Sequence, residues 1–415
     1  MTQASASPKP FRPLTIAVVT ETYPPEINGV SKTIGRMVEG LLARGHQIHL
    51  FRPRRSGESC ECDREGLQVV TLPGARIPFY RELRFGLPMV RTLMHHWRRH
   101  RPDVVQVVTE GPLGWAAVSA AKKLNLPVVT EFHTNFHAYS NYYRLGLISK
   151  IVAKYLKYFH NRMGQTLVPT LEMKQRLGAE GYQDLSVVGR GIDPNLFNPE
   201  RRSADLRASW GLKAGDRAVI YVGRIAPEKN IALALEAFEA MRRRDPRLVF
   251  VAVGDGPARP QLEQQYPHAI FAGMRKGEDL ASHYASGDIF LFPSVTETFG
   301  NVVLEAMASG LAIVAFDYAA ANLYLTDGVS ALLAPFNVAE AFVARAESLA
   351  VNPEIVHQLR GEVREPAQAC SWARIIADLE AVLTKHDEGE GAHHARLEAK
   401  ANLVAHGPDR RPMVP

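Results

Sequence analysis

Two carboxylates eight positions apart bracket a Phe-Gly turn in PSVTETFGNVVLEAMASG, residues 293–310. Glu297 falls in a loop after an apolar strand, and Glu305 falls about one and a half turns into a helix that starts near Gly300. The helix N-terminus between them has unpaired N–H groups and the positive pole of the macrodipole, which suits an anion or a ring of hydroxyls. Ionised carboxylates only accept hydrogen bonds, so they call for donors, and sugar hydroxyls are suitable ones. A complementary pair, Arg224 and Lys229, stands upstream in GRIAPEKN, directly after the strand-like RAVIYV. A guanidinium and an ammonium converging at the carboxyl end of a strand neutralise a diphosphate, although either alone also reads as a solvated surface cation.

Two further loops carry usable groups. ETYPPEINGVSKT follows the first strand and runs into a helix at Ser31; Gly29 lets backbone approach a ligand there, and the helix end favours phosphate. The loop is not G-x-G-x-x-G, which counts against a dinucleotide-dependent dehydrogenase. PVVTEFH ends in His133, and Thr134, Asn135, Phe136, His137, Tyr139, Asn141, Tyr142 and Tyr143 follow. Aromatic and amide side chains of this kind suit the apolar faces and hydroxyls of sugar rings.

The elements that must position these groups alternate regularly. LTIAVVT (14–20), the helical SKTIGRMVEGLLARG (31–45) and HQIHLF (46–51) form a βαβ opening, with Ile34, Met37, Val38, Leu41 and Leu42 recurring at three and four and Gly45 as the stop. DVVQVV, a helix over LGWAAVSAAKKLN, PVVTEFH and QTLVPT continue the pattern. After the Gly- and Pro-punctuated connector GRGIDPNLFNP a second cycle begins: RAVIYVGRI, helix IALALEAFEAMRRR, then RLVFVAVG, AIFAG, DIFLFP and AIVAFD. The fold class is α/β, with two Rossmann-like, doubly wound domains joined near residue 195 and ligands expected beyond the carboxyl ends of the strands, in a cleft between them. The expected organisation is a first domain over 1–195, a second over 196–370, a last helix over 371–386 and a tail over 387–415 without a usable apolar stripe.

The chain of 415 residues is too long for one ordinary core. It has no run of about 20 apolar residues and no secretory leader, so a cytoplasmic location is the expectation. Cys60 and Cys62 read as reduced thiols rather than as a zinc site, and the histidines of MHHWRRH read as decoration on a basic helix. Charge is uneven: residues 1–195 carry 26 Lys+Arg against 15 Asp+Glu, a net +11, and the remainder carry 23 against 28. The basic half suits an anionic membrane face; nucleic acid is not expected, because no finger, helix-turn-helix or RNA-binding signature accompanies the charge. RLGLISKIVAKYLKYFHNR (144–162) is amphipathic and basic; it reads as a helix covering a sheet, with a membrane surface as the other reading.

Taken in order, the Gly29 loop, FHTNFHAYSNYY, GRGIDPNLFNP, GRIAPEKN, GDGPARPQLE and above all ETFGNVVLE resemble the retaining glycosyltransferases of family GT4, over about residues 14–382. ETFGNVVLE is similar to that family's E-x7-E signature. The resemblance implies the GT-B fold, with a final helix over CSWARIIADLEAVLTK crossing back onto the first domain. It implies Arg224 and Lys229 on the diphosphate with Gly29 opposite, Glu305 on the ribose hydroxyls, Glu297 with the amides of Phe299, Gly300 and Asn301 on the transferred sugar, and His133 on the donor sugar near its reacting carbon. Met274 and Arg275 fall where the base is read, and Asn28, Asn135 and Tyr139 are the candidate acceptor contacts. No D-x-D occurs, so no metal and no other cofactor is expected, and retention by front-face attack needs no side-chain nucleophile.

FHTNFHAYSNYY followed by the basic helix is similar to the subgroup of bacterial mannosyl- and glycolipid-forming enzymes. The expected activity is therefore transfer of mannose from GDP-mannose to a lipid-linked or glycan acceptor, peripheral at the inner face of the membrane. The alternative is a UDP-sugar-dependent diacylglycerol glycosyltransferase using glucose, glucuronate, galactose or sulfoquinovose. Ala320-Ala321-Asn322-Leu323 departs from relatives, which commonly carry a polar or charged residue there. A nucleotide-sugar epimerase on the same fold would need a carboxylate placed for ring proton abstraction, and a non-catalytic sugar-binding protein would have no use for all five charged and imidazole groups.

Overall fold

The computed structural model describes residues 12–26, 28–55, 63–77, 80–133, 146–162 and 164–385. Asn135, Tyr139, Cys60, Cys62 and the tail lie outside them. The described residues fall into two compact units. One comprises those up to Glu131, Phe159–Thr166 and those from Ile376 onward; the other comprises the described part of Phe132–Tyr158 with Leu167–Ile375.

The first sheet uses β1 (Thr15–Val19), β2 (Gln47–Pro53), β3 (Leu67–Leu72), β6 (Val104–Val107), β7 (Val128–Glu131), β8 (Gln165–Val168) and β9 (Leu185–Val187), in the order β3-β2-β1-β6-β7-β8-β9. β4 (Gly74–Ile77) and β5 (Tyr80–Gly86) form a separate antiparallel pair. The second sheet orders β10 (Ala218–Val222), β11 (Val249–Val253), β12 (Ile270–Gly273), β13 (Ile289–Phe292), β14 (Ala312–Phe316) and β15 (Leu332–Ala334) as β12-β11-β10-β13-β14-β15. Both are doubly wound, with the strand order reversing beside β1 and beside β10.

Why these runs are strands is plain from β10. Ala218, Ile220 and Val222 enter one buried cluster, whereas Val219 and Tyr221 enter another, so both faces of the strand are covered and every position is apolar. Asp288 pins the switch point at its amino end. It accepts from the Ala218 amide at 2.8 Å and pairs with Arg202, Arg207 and Arg360 at 2.8 Å each. Those cations and that amide hold its carboxyl below the usual range against its burial. The last helix, Trp372–Lys385, contributes Glu380 to the first unit, where the carboxylate pairs with Arg44 and, at 2.8 Å, with His46 Nε2.

In the first unit, helix Gly29–Ala43 is capped by Asn28, whose Oδ1 accepts from the Ser31 amide at 2.8 Å while its Nδ2 donates to Thr22 Oγ1 at 2.7 Å. Helix Pro112–Lys123 begins at Gly111, which has no side chain to cap it. Glu21, just past β1, supplies the acceptor: its Oε1 takes the Leu113 amide at 3.1 Å and the Gly86 amide at 3.4 Å. Burial pushes this carboxyl up to about 7, with Glu110 adding to the rise and the two amides opposing it. A carboxyl raised in the fold favours folding while it is neutral, below about 4.5, and that advantage is lost as pH climbs through about 7. Glu21→Gln keeps the acceptor and removes the ionisation. The variant should match the unaltered protein at pH 5 and exceed it at pH 8 by about 2 kcal/mol. Thermal midpoints at the two pH values test this, and a gap that fails to widen refutes it.

Candidate functional site

The site residues of the second unit stand where β10 and β13 diverge. Arg224 and Lys229 follow β10, and Ser294 and Glu297 follow β13. Lys229 Nζ donates to Glu297 Oε1 at 2.5 Å, and the same oxygen accepts from Ser294 Oγ at 2.8 Å. The two charged side chains are 18% and 15% exposed, so water screens the pair only in part. Arg224 Nη1 meets Glu228 Oε1 at 2.8 Å; Glu228 is 1% exposed and Arg224 43%, so the carboxylate anchors the guanidinium from below.

Backbone contacts hold these loops in place. Thr296 Oγ1 donates to the Glu228 carbonyl at 2.9 Å and Asn230 Nδ2 to the Pro293 carbonyl at 3.2 Å, which ties the loop after β10 to the loop after β13. Asn230 sits at φ 54°, a left-handed conformation that amide side chains tolerate. The loop after β11 is closer still. A Cβ on Gly254 would stand 1.9 Å from the Gly223 carbonyl oxygen, and Gly254 has φ 142°.

Gly300, at φ 95°, is the N-cap of helix Asn301–Ala308. The turn before it is supported from behind: Tyr318 Oη donates to the Glu297 carbonyl, and the Phe299 carbonyl accepts from the Ala320 amide at 2.8 Å. Phe299 is buried. The Ala320-Ala321-Asn322-Leu323 stretch therefore lies in the short helix that buttresses this turn, with Ala320 and Ala321 buried. Glu305, 8% exposed, accepts from Tyr284 Oη at 2.8 Å through Oε2. Burial, and then the Glu305 charge, push the Tyr284 phenol well above its ordinary value, so it remains a neutral donor.

Met274 and Arg275 follow β12. Met274 is half exposed, while Arg275 folds back, donating from Nε and Nη2 to the Ala272 carbonyl at 2.9 and 2.7 Å and from Nη1 to Asp279 at 3.2 Å. His133 lies two residues beyond the end of β7 rather than within it, and its Nδ1 is 3.1 Å from Arg190 Nη2. In the first unit, Gly29 opens its helix with no described atom within 4 Å of where a Cβ would be.

The hydrogen bonds thus join Lys229, Glu297 and Ser294 into one set and Arg224 with Glu228 into a second, the two tied by the Glu228-Lys229 peptide bond and by Thr296 Oγ1 on the Glu228 carbonyl; His133 meets Arg190, and Arg275 meets Ala272 and Asp279. Sequence reasoning missed Glu228, Ser294, Tyr284 and Arg190. Glu228 adjoins Lys229 and Ser294 follows a strand, so both carried a local signal. Tyr284 and Arg190 carried none beyond their own loop or helix.

Residues 27–196 match the family model described as Glycosyltransferase Family 4, and residues 216–352 match the model described as Glycosyl transferases group 1. The chain is 32% identical to a GDP-mannose-dependent alpha-mannosyltransferase of Corynebacterium glutamicum over 324 residues, 78% of this chain and 77% of the relative. It is 32% identical to a sulfoquinovosyl transferase of Arabidopsis thaliana over 256 residues, 60% and 49% of the two chains. Sucrose-phosphate synthase from Thermosynechococcus elongatus superposes with a TM-score of 0.73 at 18% identity, covering 90% of this chain and 98% of that one, a likeness of fold.

Proposed function

Because the chain belongs to glycosyltransferase family 4, and is a hexosyltransferase using a nucleotide-sugar donor, we propose that it moves mannose from GDP-mannose to a lipid-linked or glycan acceptor with retention of configuration. The observation that carries the reading is the two ion pairs in the loops that follow β10 and β13. Two cations are each held by a carboxylate, and Glu297, the partner of Lys229, lies four residues ahead of helix Asn301–Ala308, with Glu305 one turn along it. A diphosphate suits the cations and the helix end, and the hydroxyls at either side of it suit Glu297 and Glu305. The choice of mannose and of guanine rests on the named relative.

In the proposed reaction the bond between the sugar's anomeric carbon and the phosphate oxygen breaks, and the acceptor oxygen bonds to the same face of that carbon. The acceptor's proton passes to the departing phosphate oxygen. Arg224, Lys229 and the amides at the start of helix Asn301–Ala308 take up the leaving-group charge, a fixed electrostatic device that requires no metal. Glu297 holds the sugar and forms no bond to it.

A lipid acceptor agrees with the surface. Helix Val90–Arg99 exposes Arg91, His95, Arg98 and Arg99, and helix Gly146–Asn161 exposes Ile151 (67%) and Tyr158 (59%) beside Lys150 and Lys154. We read each of the two helices, taken by itself, as suited to peripheral contact with anionic lipid. Among the described residues no helix is long and apolar enough to cross a membrane.

A donor panel tests the assignment. GDP-mannose, UDP-glucose, UDP-glucuronate and UDP-galactose compared by thermal shift should rank GDP-mannose first, because a ligand at 100 times its Kd stabilises the native form by about 2.7 kcal/mol. Labelled GDP-mannose given with a lipid extract should leave label in the lipid. A larger shift with a UDP-sugar overturns the donor in favour of a UDP-dependent lipid glycosyltransferase. Isomerised free nucleotide sugar would mean an epimerase.

A further inference from the structure

We propose that Arg190 is a positioning residue for the transfer, acting through His133 by fixing which of its ring nitrogens donates to the donor sugar. The inference rests on the reading above that His133 touches that sugar.

Arg190 is placed by its neighbours. It is 6% exposed and sits between two glycines, Gly189 and Gly191, in the segment between β9 and the second sheet. A Cβ on Gly191 would lie 2.7–2.8 Å from the Trp372 ring and its Cα, so the backbone beside Arg190 packs directly on the start of the last helix. The Ile192 amide then donates to the Cys370 carbonyl at 2.8 Å, which ties the next residue to the same place. Tyr324 closes the other side, its hydroxyl 3.4 Å from where a Cβ on Gly189 would stand. The side chain is itself buried and its Nη1 donates to the Gly189 carbonyl at 3.3 Å, so the guanidinium is held as a preorganised donor.

From that anchor Arg190 Nη2 reaches 3.1 Å to His133 Nδ1. A guanidinium has five N–H donors and no acceptor, so in this contact Nδ1 must be the accepting nitrogen. The neutral imidazole therefore carries its proton on Nε2, and the donor it can offer to a sugar oxygen is Nε2–H. A ring free to choose its tautomer would spend part of its population with an acceptor in that position, facing the lone pairs of the sugar oxygen. His133 lies outside any regular element, two residues past β7. The second ring nitrogen of a working histidine is commonly what sets its tautomer, and a guanidinium does so unambiguously.

The test is a double-mutant cycle on the full chain, using whichever of GDP-mannose, UDP-glucose or UDP-glucuronate gives turnover with a lipid extract. His133→Ala should lower kcat about 30-fold, and Arg190→Gln about 10-fold with donor KM changed less than about threefold, since the binding groups remain. The double variant should fall no lower than His133→Ala to within about twofold, because Arg190 has nothing left to act on. Arg190→Lys, which keeps a donating cation, should recover at least half of the logarithmic loss. Arg190→Gln turning over at the unaltered rate, or multiplying the loss in the His133→Ala background, overturns the proposal. If Arg190→Gln does not fold, Arg190→Lys in the two backgrounds decides by the same criterion. If His133→Ala alone leaves turnover intact, the placement of His133 on the sugar has failed and this inference goes with it. A loss with His133→Ala that Arg190→Gln deepens sinks the Arg190 role alone.

Discussion

Lys229→Ala should lower kcat/KM about 100- to 1,000-fold, the range found when a preorganised charge partner is removed from a transition state. Two effects add. The departing diphosphate loses a cation, and the Glu297 carboxylate, which Lys229 now holds at 2.5 Å, is left beside the phosphate oxygens with its charge uncompensated. Like charges brought together there oppose the charge that develops on the leaving group. Folding should be affected far less. The pair is partly exposed and Glu297 keeps its hydrogen bond from Ser294, so about 1 kcal/mol or less is at stake. Steady-state kinetics and a thermal midpoint separate the two. Turnover within threefold of the unaltered protein would remove Lys229 from the site, and a collapse of the midpoint would make it a structural residue instead.

Glu297→Gln should cost about 100-fold in turnover while leaving about 1% behind. Hydrogen bonds to an ionised acceptor contribute roughly 1.5–3 kcal/mol each, and the amide both weakens the grip on the sugar hydroxyls and strands Lys229 without its partner. The residual rate is the informative part. A carboxylate that only holds hydroxyls leaves some reaction when it becomes an amide, whereas a carboxylate that forms the glycosyl bond leaves essentially none. Mass spectrometry of the peptide containing Glu297 after incubation with donor should show no added hexose. An ester on that side chain would replace front-face attack with a double displacement.

The strand skeleton was readable because doubly covered parallel strands must be apolar at every position; β10, β11, β13 and β14 coincide with runs such as AVIYV and IFLF. β3 and the β4–β5 hairpin were not read, since LQVVTL and YRELRFG mix polar and charged residues into short segments, and β15 has three residues only. Arg224, Lys229, Glu297 and Glu305 could be picked out by residue type and by their places after strands. Their mutual contacts could not. Lys229 and Glu297 are 68 residues apart, Tyr284 and Glu305 are 21 apart on two different helices, and His133 and Arg190 are 57 apart, so each contact exists only once the fold has brought separate elements together. The sequence expectation gave Lys229 to phosphate and Glu297 to sugar as separate duties, and the structure shows them also gripping each other.

The contact between Gly254 and Gly223 limits how such an enzyme can be re-engineered. With 1.9 Å between a would-be Cβ and the facing carbonyl oxygen, any side chain at 254 must push the segment bearing Arg224 off its strand end. Libraries that seek a new donor preference therefore have nothing to gain from randomising position 254. Variation belongs in exposed side chains such as Met274 and Leu323, where diversity can be introduced without dismantling the scaffold beneath.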